Sequence, residues 1–177
     1  MDIEMIAFIR TLTQNRIAWA VLLGSTLFLE LCGMFFQHVM GLPPCVMCIY
    51  QRVAILGIMA GAAIGFINPK NLFLRWSGLL LWAYSSIEGL RLALRHTDIQ
   101  IHPSPFNTCD LFVSFPQWLP LNKWVPWFFN ATGECSDIQW QFLSWTMPQW
   151  LIVAFGIYTV CSFIIIAGNL IKGRCCG

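Results

Sequence analysis

Charge is scarce in this 177-residue chain. Asp, Glu, Lys and Arg make up 10% of it, against 58% hydrophobic and 15% aromatic residues. A soluble domain averages about 25% charged and 45–50% apolar residues. Folding in water buries only about 70% of the surface of a domain this size, too little to hide so much apolar area. The shortage excludes a soluble enzyme and a disordered tail. A formal net charge of +2 offers no basic surface for nucleic acid. Internal repeats and low-complexity tracts are absent, and the length fits one domain, residues 1–177. What remains is an integral membrane protein.

The charges are missing in runs. From Ile17 to Gln51 the only one is Glu30, and the 17 residues from Val53 to Pro69 carry none. Trp76 to Leu94 carries only Glu88 and Arg91, and the 34 residues from Ile138 to Ile171 are uncharged. A helix needs about 20 mainly apolar residues to cross a bilayer. The pattern predicts four spans, at about 17–37, 47–67, 73–94 and 149–170. The first is too long for a signal-peptide core, carries Glu30 and is followed by no small-x-small cleavage site, so it is expected to stay.

Four spans put both termini on one side. That side carries Arg10, Arg16, Lys70, Arg75, Lys172 and Arg174, whereas the other has Arg95 and Lys123 in its loops and Arg52 and Arg91 at span ends. Lys and Arg in short flanking segments mark the cytoplasmic side. The termini are therefore expected inside, with loops near 38–46 and 95–148 outside.

This topology sorts the eight cysteines. Cys45, Cys48, Cys109 and Cys135 fall on the outer side or at its membrane edge, where disulfides persist. Four cysteines allow three pairings, and local spacing favours Cys45–Cys48 with Cys109–Cys135. Cys32 and Cys161, within spans, read as packing residues, and Cys175 and Cys176 as reduced thiols of the tail.

The segment Pro43-Pro44-Cys45-Val46-Met47-Cys48-Ile49-Tyr50-Gln51-Arg52 carries the most chemistry. Proline suits the first turn of a helix, so both cysteines should open the second span. At about 100° per residue Cys45, Cys48 and Arg52 share a ~60° sector of that helix. A helix N-terminus stabilises an anion, and a nearby arginine lowers an acid's pKa by about 1–3 units, which favours the thiolate nucleophile of redox chemistry. Three other readings compete. The pair could be half of a zinc site completed by His38, His96, His102, Cys109 or Cys135, although zinc frameworks usually show a second close pair. It could be a static disulfide, and Arg52 could merely snorkel to the interface.

Residues 95–148 hold Pro103, Pro105, Pro116, Pro120, Pro126 and Pro148, which argues against long helices there. Cys109 follows a Pro-rich stretch and should be accessible. Exposed disulfides tend to be the oxidising ones, but taken alone this pair reads first as a structural staple for a loop with little core. Between the cysteines, Trp118-Leu119-Pro120-Leu121-Asn122-Lys123-Trp124-Val125-Pro126-Trp127-Phe128-Phe129 reads as a short amphipathic segment on the bilayer surface, holding Cys135 close to it. A partner-binding patch is the other reading.

These motifs, in this order, resemble the DsbB family of bacterial inner-membrane disulfide-generating proteins. The resemblance runs from about Trp19 to Ile166 and is anchored by Phe36-Gln37-His38-Val39-Met40, the Cys45–Arg52 segment, Pro103-Ser104-Pro105-Phe106, Cys109-Asp110, Trp118-Leu119-Pro120-Leu121, Lys123-Trp124-Val125-Pro126 and Met147-Pro148-Gln149-Trp150. It implies an all-α four-transmembrane-helix bundle in the inner membrane, with a long periplasmic loop carrying the short interfacial segment. It implies a DsbA-like periplasmic thiol oxidase as electron donor and ubiquinone or menaquinone as acceptor. By motif, Cys109 and Cys135 exchange with the donor, Cys109 being attacked, while Cys45 and Cys48 serve the quinone, with Cys48 meeting the ring and Arg52 polarising it. The family's quinone position near the outer end of the third span makes His96 the best histidine candidate. Met47 stands where leucine is expected, a nearly volume-conserving change. An enzyme like vitamin K epoxide reductase would carry its Cys-x-x-Cys on a later span. A disulfide-stapled or metal-binding structural protein is the alternative from another class.

Around this core, Glu30 is a functional candidate as an intramembrane acid, or a structural partner of Arg52. Glu88, Arg91 and Arg95 share a helix face and read as an ion-pair cluster. The orientation has a direct check. A membrane-impermeant thiol reagent on intact cells, after reduction, should label Cys109 and Cys135 but not Cys175 or Cys176. Labelling of the tail from outside would reverse the topology.

Overall fold

The computed structural model describes residues 3–104, 108–110, 112–117 and 119–171. Pro105, Phe106, Trp118, Cys175 and Cys176 lie outside the described residues. The chain is helical almost throughout: α1 (Ile3–Gln14), α2 (Arg16–His38), α3 (Val46–Ile67), α4 (Leu72–Ile101), the short α5 (Leu121–Trp124) and α6 (Pro126–Phe129), a hairpin of β1 (Gln141–Phe142) and β2 (Trp145–Thr146), and α7 (Met147–Ile171).

Local chemistry sets the boundaries. The Asn15 side chain accepts from the Ile17 amide at 2.9 Å to open α2, and Asn71 accepts from Phe73 and Leu74 to open α4, occupying amides that a helix start leaves unpaired. Asn68-Pro69 follows the end of α3, and Pro148 occupies the first turn of α7, where proline is tolerated. α4 runs seven residues past the expected span end and stops at Ile101, just before His102-Pro103; the residue preceding a proline is biased away from helix. Residues 95–101, read as part of a loop, thus continue the helix.

α2, α3 and α7 are each long and apolar enough to cross a membrane. α4 has the length, but it carries Arg75, Glu88, Arg91, Arg95 and Asp98. α3 packs between α2 and α4, and α7 packs on α4. Trp19, Leu22, Ile55, Ile58, Leu79, Trp82 and Phe155 form the shared apolar core. α3 and α4 approach most closely at Gly61 and Gly78, where a Cβ on either would meet the other's carbonyl oxygen at 2.8 and 2.7 Å. Small residues at such crossings let backbones touch, the usual device where lipid removes the hydrophobic drive between helices. The outward faces of α2 and α7 stay apolar, with Phe28, Leu31, Ile157, Val160 and Phe163 exposed.

Two features go beyond the expected elements, a hairpin that departs from the all-α expectation and an additional helix. The hairpin pairs Gln141 with Thr146 and Phe142 with Trp145, and its turn places Leu143 and Ser144 at φ 52° and 65°. Such turns favour Asn-Gly or Asp-Gly, so Leu-Ser carried no turn signal. It is held from outside: Trp150 Nε1 donates to the Phe142 carbonyl at 3.2 Å, and the Gln149 side chain accepts from the Thr146 amide at 2.8 Å. α1 is the second. It packs along the end of α7, where Arg10 Nη2 donates to the Asn169 carbonyl and Ile9 lies over Gly168. Of the two in-span cysteines, Cys32 is half-buried, while Cys161 is exposed on α7 rather than packed in the core.

Candidate active site

α3 begins where Pro43-Pro44 delivers the chain to Cys45, which caps the helix: its Sγ accepts from the Cys48 amide at 3.3 Å. The two sulfurs lie 2.7 Å apart, both as free thiols. One turn further along, Arg52 lies on the same face, as the spacing predicts. Cys109 and Cys135 are joined in a disulfide. The expected pairing of the outer loop therefore holds, and the first pair sits poised to close.

Both pairs occupy one cluster. Cys45, Cys135, Met47 and Ile99 are buried together, with Cys48, Cys109 and Leu92 packed against them. The loop is tied there by its backbone: the Thr132 and Gly133 amides both donate to the Pro44 carbonyl, at 2.9 and 3.0 Å, and Cys45 and Gly133 form an isolated parallel bridge. The tryptophan-rich segment precedes these ties. It folds as α5 and α6, leaving Trp124 and Trp127 exposed and turning Phe129 inward.

Arg52 does not snorkel. It is 8% exposed, and protein groups surround its guanidinium. Nη1 donates to Gln37 Oε1 at 2.6 Å and to the Phe128 carbonyl at 3.1 Å, Nε lies 3.8 Å from Glu30 Oε2, and the Phe128 ring stacks 4.8 Å below. Glu30 is thus the structural partner of Arg52. The Phe128 contact runs through a main-chain carbonyl, which leaves no trace in sequence. Gln37 lay within the Phe36-Gln37-His38 motif but had no assigned role.

His96 comes from the far end of α4 and places Nε2 3.6 Å from Cys45 Sγ. The ring is buried, and in its neutral form it carries one donor and one acceptor nitrogen. A hydrogen bond to Cys48 and burial hold the Cys45 thiol above its ordinary range. The thiolate-favouring setting expected for both cysteines does not extend to this one. The other histidines lie elsewhere: His38 packs on Trp127, and His102 pairs with Asp98 at 3.2 Å. Glu88 and Arg91 pair at 2.8 Å on the exposed face of α4, a contact of little energetic weight. Among the described residues the donors able to share a metal stop at three, Cys45, Cys48 and His96, one short of a closed structural zinc site.

Beside the sulfurs opens a cavity of about 420 Å³. One wall is polar, with Glu30, Cys45, Cys48, Gln51, Arg52, His96 and Gln100. Apolar lining comes from α2 and α7, including Leu29, Phe36, Leu151, Ala154 and Ile157, and the loop adds Glu134, Asp137 and Gln139. Both amide atoms of Gln51, Nδ1 of His96 and Oε1 of Gln100 are buried without a hydrogen-bond partner. Buried polar groups in native proteins are nearly always satisfied, so an unpaired group lining a cavity points to a ligand with polar atoms. Gln51 stood inside the Cys45–Arg52 segment without an assigned role, and Gln100 was not singled out in the sequence.

The sequence matches the family described as Disulfide bond formation protein DsbB over residues 15–165. The chain belongs to the DsbB family. Its relatives include Disulfide bond formation protein B of Aeromonas hydrophila subsp. hydrophila, 52% identical over 97% of this chain and 99% of the relative. That of Psychromonas ingrahamii is 52% identical over 98% and 94%, and that of Vibrio cholerae serotype O1 is 49% identical over 96% and 98%. Within this DsbB-family chain the buried Arg52–Glu30 pair makes a stability prediction. Removing one partner of a buried pair strands the other and costs roughly 3–5 kcal/mol. Arg52→Ala should show that loss in denaturant unfolding in detergent, and Arg52→Ala/Glu30→Gln should recover most of it. An Arg52→Ala protein as stable as the parent would mean that Glu30 is not held by this pair.

Proposed function

We propose that electrons from a DsbA-like periplasmic thiol oxidase enter at Cys109–Cys135, cross to Cys45–Cys48 and leave to a membrane quinone. Membership of the DsbB family makes the chain a disulfide-forming oxidoreductase. The observation that carries the route is the single cluster holding both cysteine pairs beside the cavity.

The direction follows from exposure. Cys109 is the more accessible sulfur of its pair and Cys135 is buried, so an incoming thiolate reaches Cys109. Breaking that bond releases Cys135 as a thiolate inside the cluster, next to Cys45. Disulfide exchange passes through a mixed disulfide formed by such an attack, here Cys45–Cys135, which frees Cys48 one turn before Arg52.

The cavity residues suit a quinone. Its two ring oxygens accept hydrogen bonds, for which the Gln51 amide and a ring nitrogen of His96 have donors, and its prenyl tail matches the apolar wall of α2 and α7. A bound quinone supplies a two-electron, two-proton acceptor. Arg52, held by Gln37, Phe128 and Glu30, places a fixed positive charge where the Cys48 thiolate develops, the kind of preorganised electrostatic contribution worth roughly 2.7–4 kcal/mol. Cys48, Arg52 and His96 are the residues we assign to this acceptor, either ubiquinone or menaquinone. We read residues 1–177 as one domain of the bacterial inner membrane, with α4 as the fourth span, the termini cytoplasmic and the cysteine cluster periplasmic.

Two variants test the route. In Cys48→Ser, Cys109 and Cys135 should still take electrons from one reduced partner, yet quinone turnover should stop. In Cys109→Ser, the quinone should still oxidise Cys45 and Cys48 while oxidation of the partner fails. A Cys109→Ser protein that oxidises its partner at the parental rate would reduce Cys109–Cys135 to a staple.

A further inference from the structure

The loop and the start of α3 meet at one backbone crossing, and Gly133 is the residue inside it. Its amide donates to the Pro44 carbonyl at 3.0 Å, beside the bond from Thr132, and it bridges to Cys45. A Cβ added at Gly133 would overlap the Pro43 carbonyl oxygen and lie 3.1 Å from its carbonyl carbon and 3.0 Å from Gln139 Nε2. Gln139 is a side chain and can move. Pro43 is backbone, stiffened by Pro44 after it, and cannot yield without carrying Cys45 along. The φ of Gly133 is not in the left-handed range, so the requirement for glycine is close approach and not backbone conformation. Two residues further on is Cys135, and two residues after Pro43 is Cys45. The crossing therefore sets the separation of the two sulfurs that must react.

We propose that Gly133 is a positioning residue for electron transfer between the two cysteine pairs, and that any side chain there lifts Cys135 away from Cys45. The inference rests on the relay reading above and names what makes its central step fast. In that step the Cys135 thiolate, released when the partner's thiolate bonds to Cys109, attacks Cys45 Sγ of the oxidised pair. A Cys45–Cys135 bond forms, the Cys45–Cys48 bond breaks, and the electron pair leaves on Cys48. The partner's second thiolate then displaces Cys109. Cys109 re-forms its bond to Cys135 and expels Cys45 as a thiolate. The partner is oxidised by two electrons and Cys45–Cys48 is reduced by two, with the partner's two thiol protons balancing the new dithiol. A misplacement of about 1 Å in such a reacting pair can cost about 10²-fold in rate.

The geometry can be measured without turnover. In Cys48→Ser/Cys109→Ser, mild oxidation should close a Cys45–Cys135 disulfide, mapped by mass spectrometry. Adding Gly133→Ala should slow that closure at least tenfold, and Gly133→Val more. With all cysteines intact, Gly133→Ala should slow partner-driven quinone reduction by a similar factor. Capture of a partner lacking its second cysteine at Cys109 should proceed at the parental rate. In Cys109→Ser/Cys135→Ser, dithiothreitol-driven quinone reduction uses Cys45 and Cys48 alone, and Gly133→Ala should leave it unchanged. Closure and partner-driven turnover within twofold of the parent in both variants would overturn the proposal. So would an equal loss of dithiothreitol-driven activity, which would make Gly133 a folding residue. Failure of the relay itself registers separately, as partner oxidation by Cys109→Ser with Gly133 in place.

Discussion

A guanidinium buried in an apolar chain has to be surrounded, and the surroundings of Arg52 organise this molecule. Its contacts come from Glu30 and Gln37 on α2 and from Phe128 in the outer loop, while Arg52 itself belongs to α3. One side chain thus ties two helices and a loop at the point where Cys48 and the cavity meet. A charge left without such contacts would cost several kcal/mol in a low-dielectric interior. With them, it stays fixed one turn from Cys48. The same contacts hold α6 against the helices, so a loop of two four-residue helices acquires a defined position it could not reach through its own small core.

The second constraint is backbone. Pro43 and Pro44 remove two amides from the approach to α3, and their carbonyls remain to accept from the loop. The Pro44 carbonyl takes both the Thr132 and Gly133 amides. A pairing this short contributes modest stability, since a net hydrogen bond is worth about 0.5–1.5 kcal/mol. Its importance lies in register, because it fixes which residues of the loop lie opposite Cys45. The loop disulfide and the cavity-side dithiol then become parts of one buried cluster.

Much of this was legible in the sequence because its cause is local. Uncharged runs marked α2, α3 and α7. Pro-Pro before Cys-x-x-Cys marked a capped helix start, and a four-residue interval put Arg52 on the face of Cys48. His96 stood out only through the family resemblance, which places a quinone near the outer end of the third span. What could not be read there depends on contacts between distant segments. Phe128 meets Arg52 through a carbonyl, Gly133 lies where a Cβ would overlap Pro43, the Gln51 amide finds no partner, and Gln100 leaves its Oε1 unpaired. The Leu143-Ser144 turn has no turn composition, since Gln149 and Trp150 of α7 hold it. α4 outruns its apolar segment because helix propensity and the position of Pro103, not hydropathy, decide where a helix stops.

The central claim is that electrons cross directly from Cys135 to Cys45. Acid-quenched time courses of the protein with all cysteines intact, mixed with reduced partner, alkylated and mapped by mass spectrometry, test it most directly. The account predicts a transient Cys45-to-Cys135 linked peptide that rises as the Cys109-to-partner disulfide forms and decays as Cys45 and Cys48 appear as thiols. Appearance of those two thiols while Cys109–Cys135 stays intact throughout would contradict it.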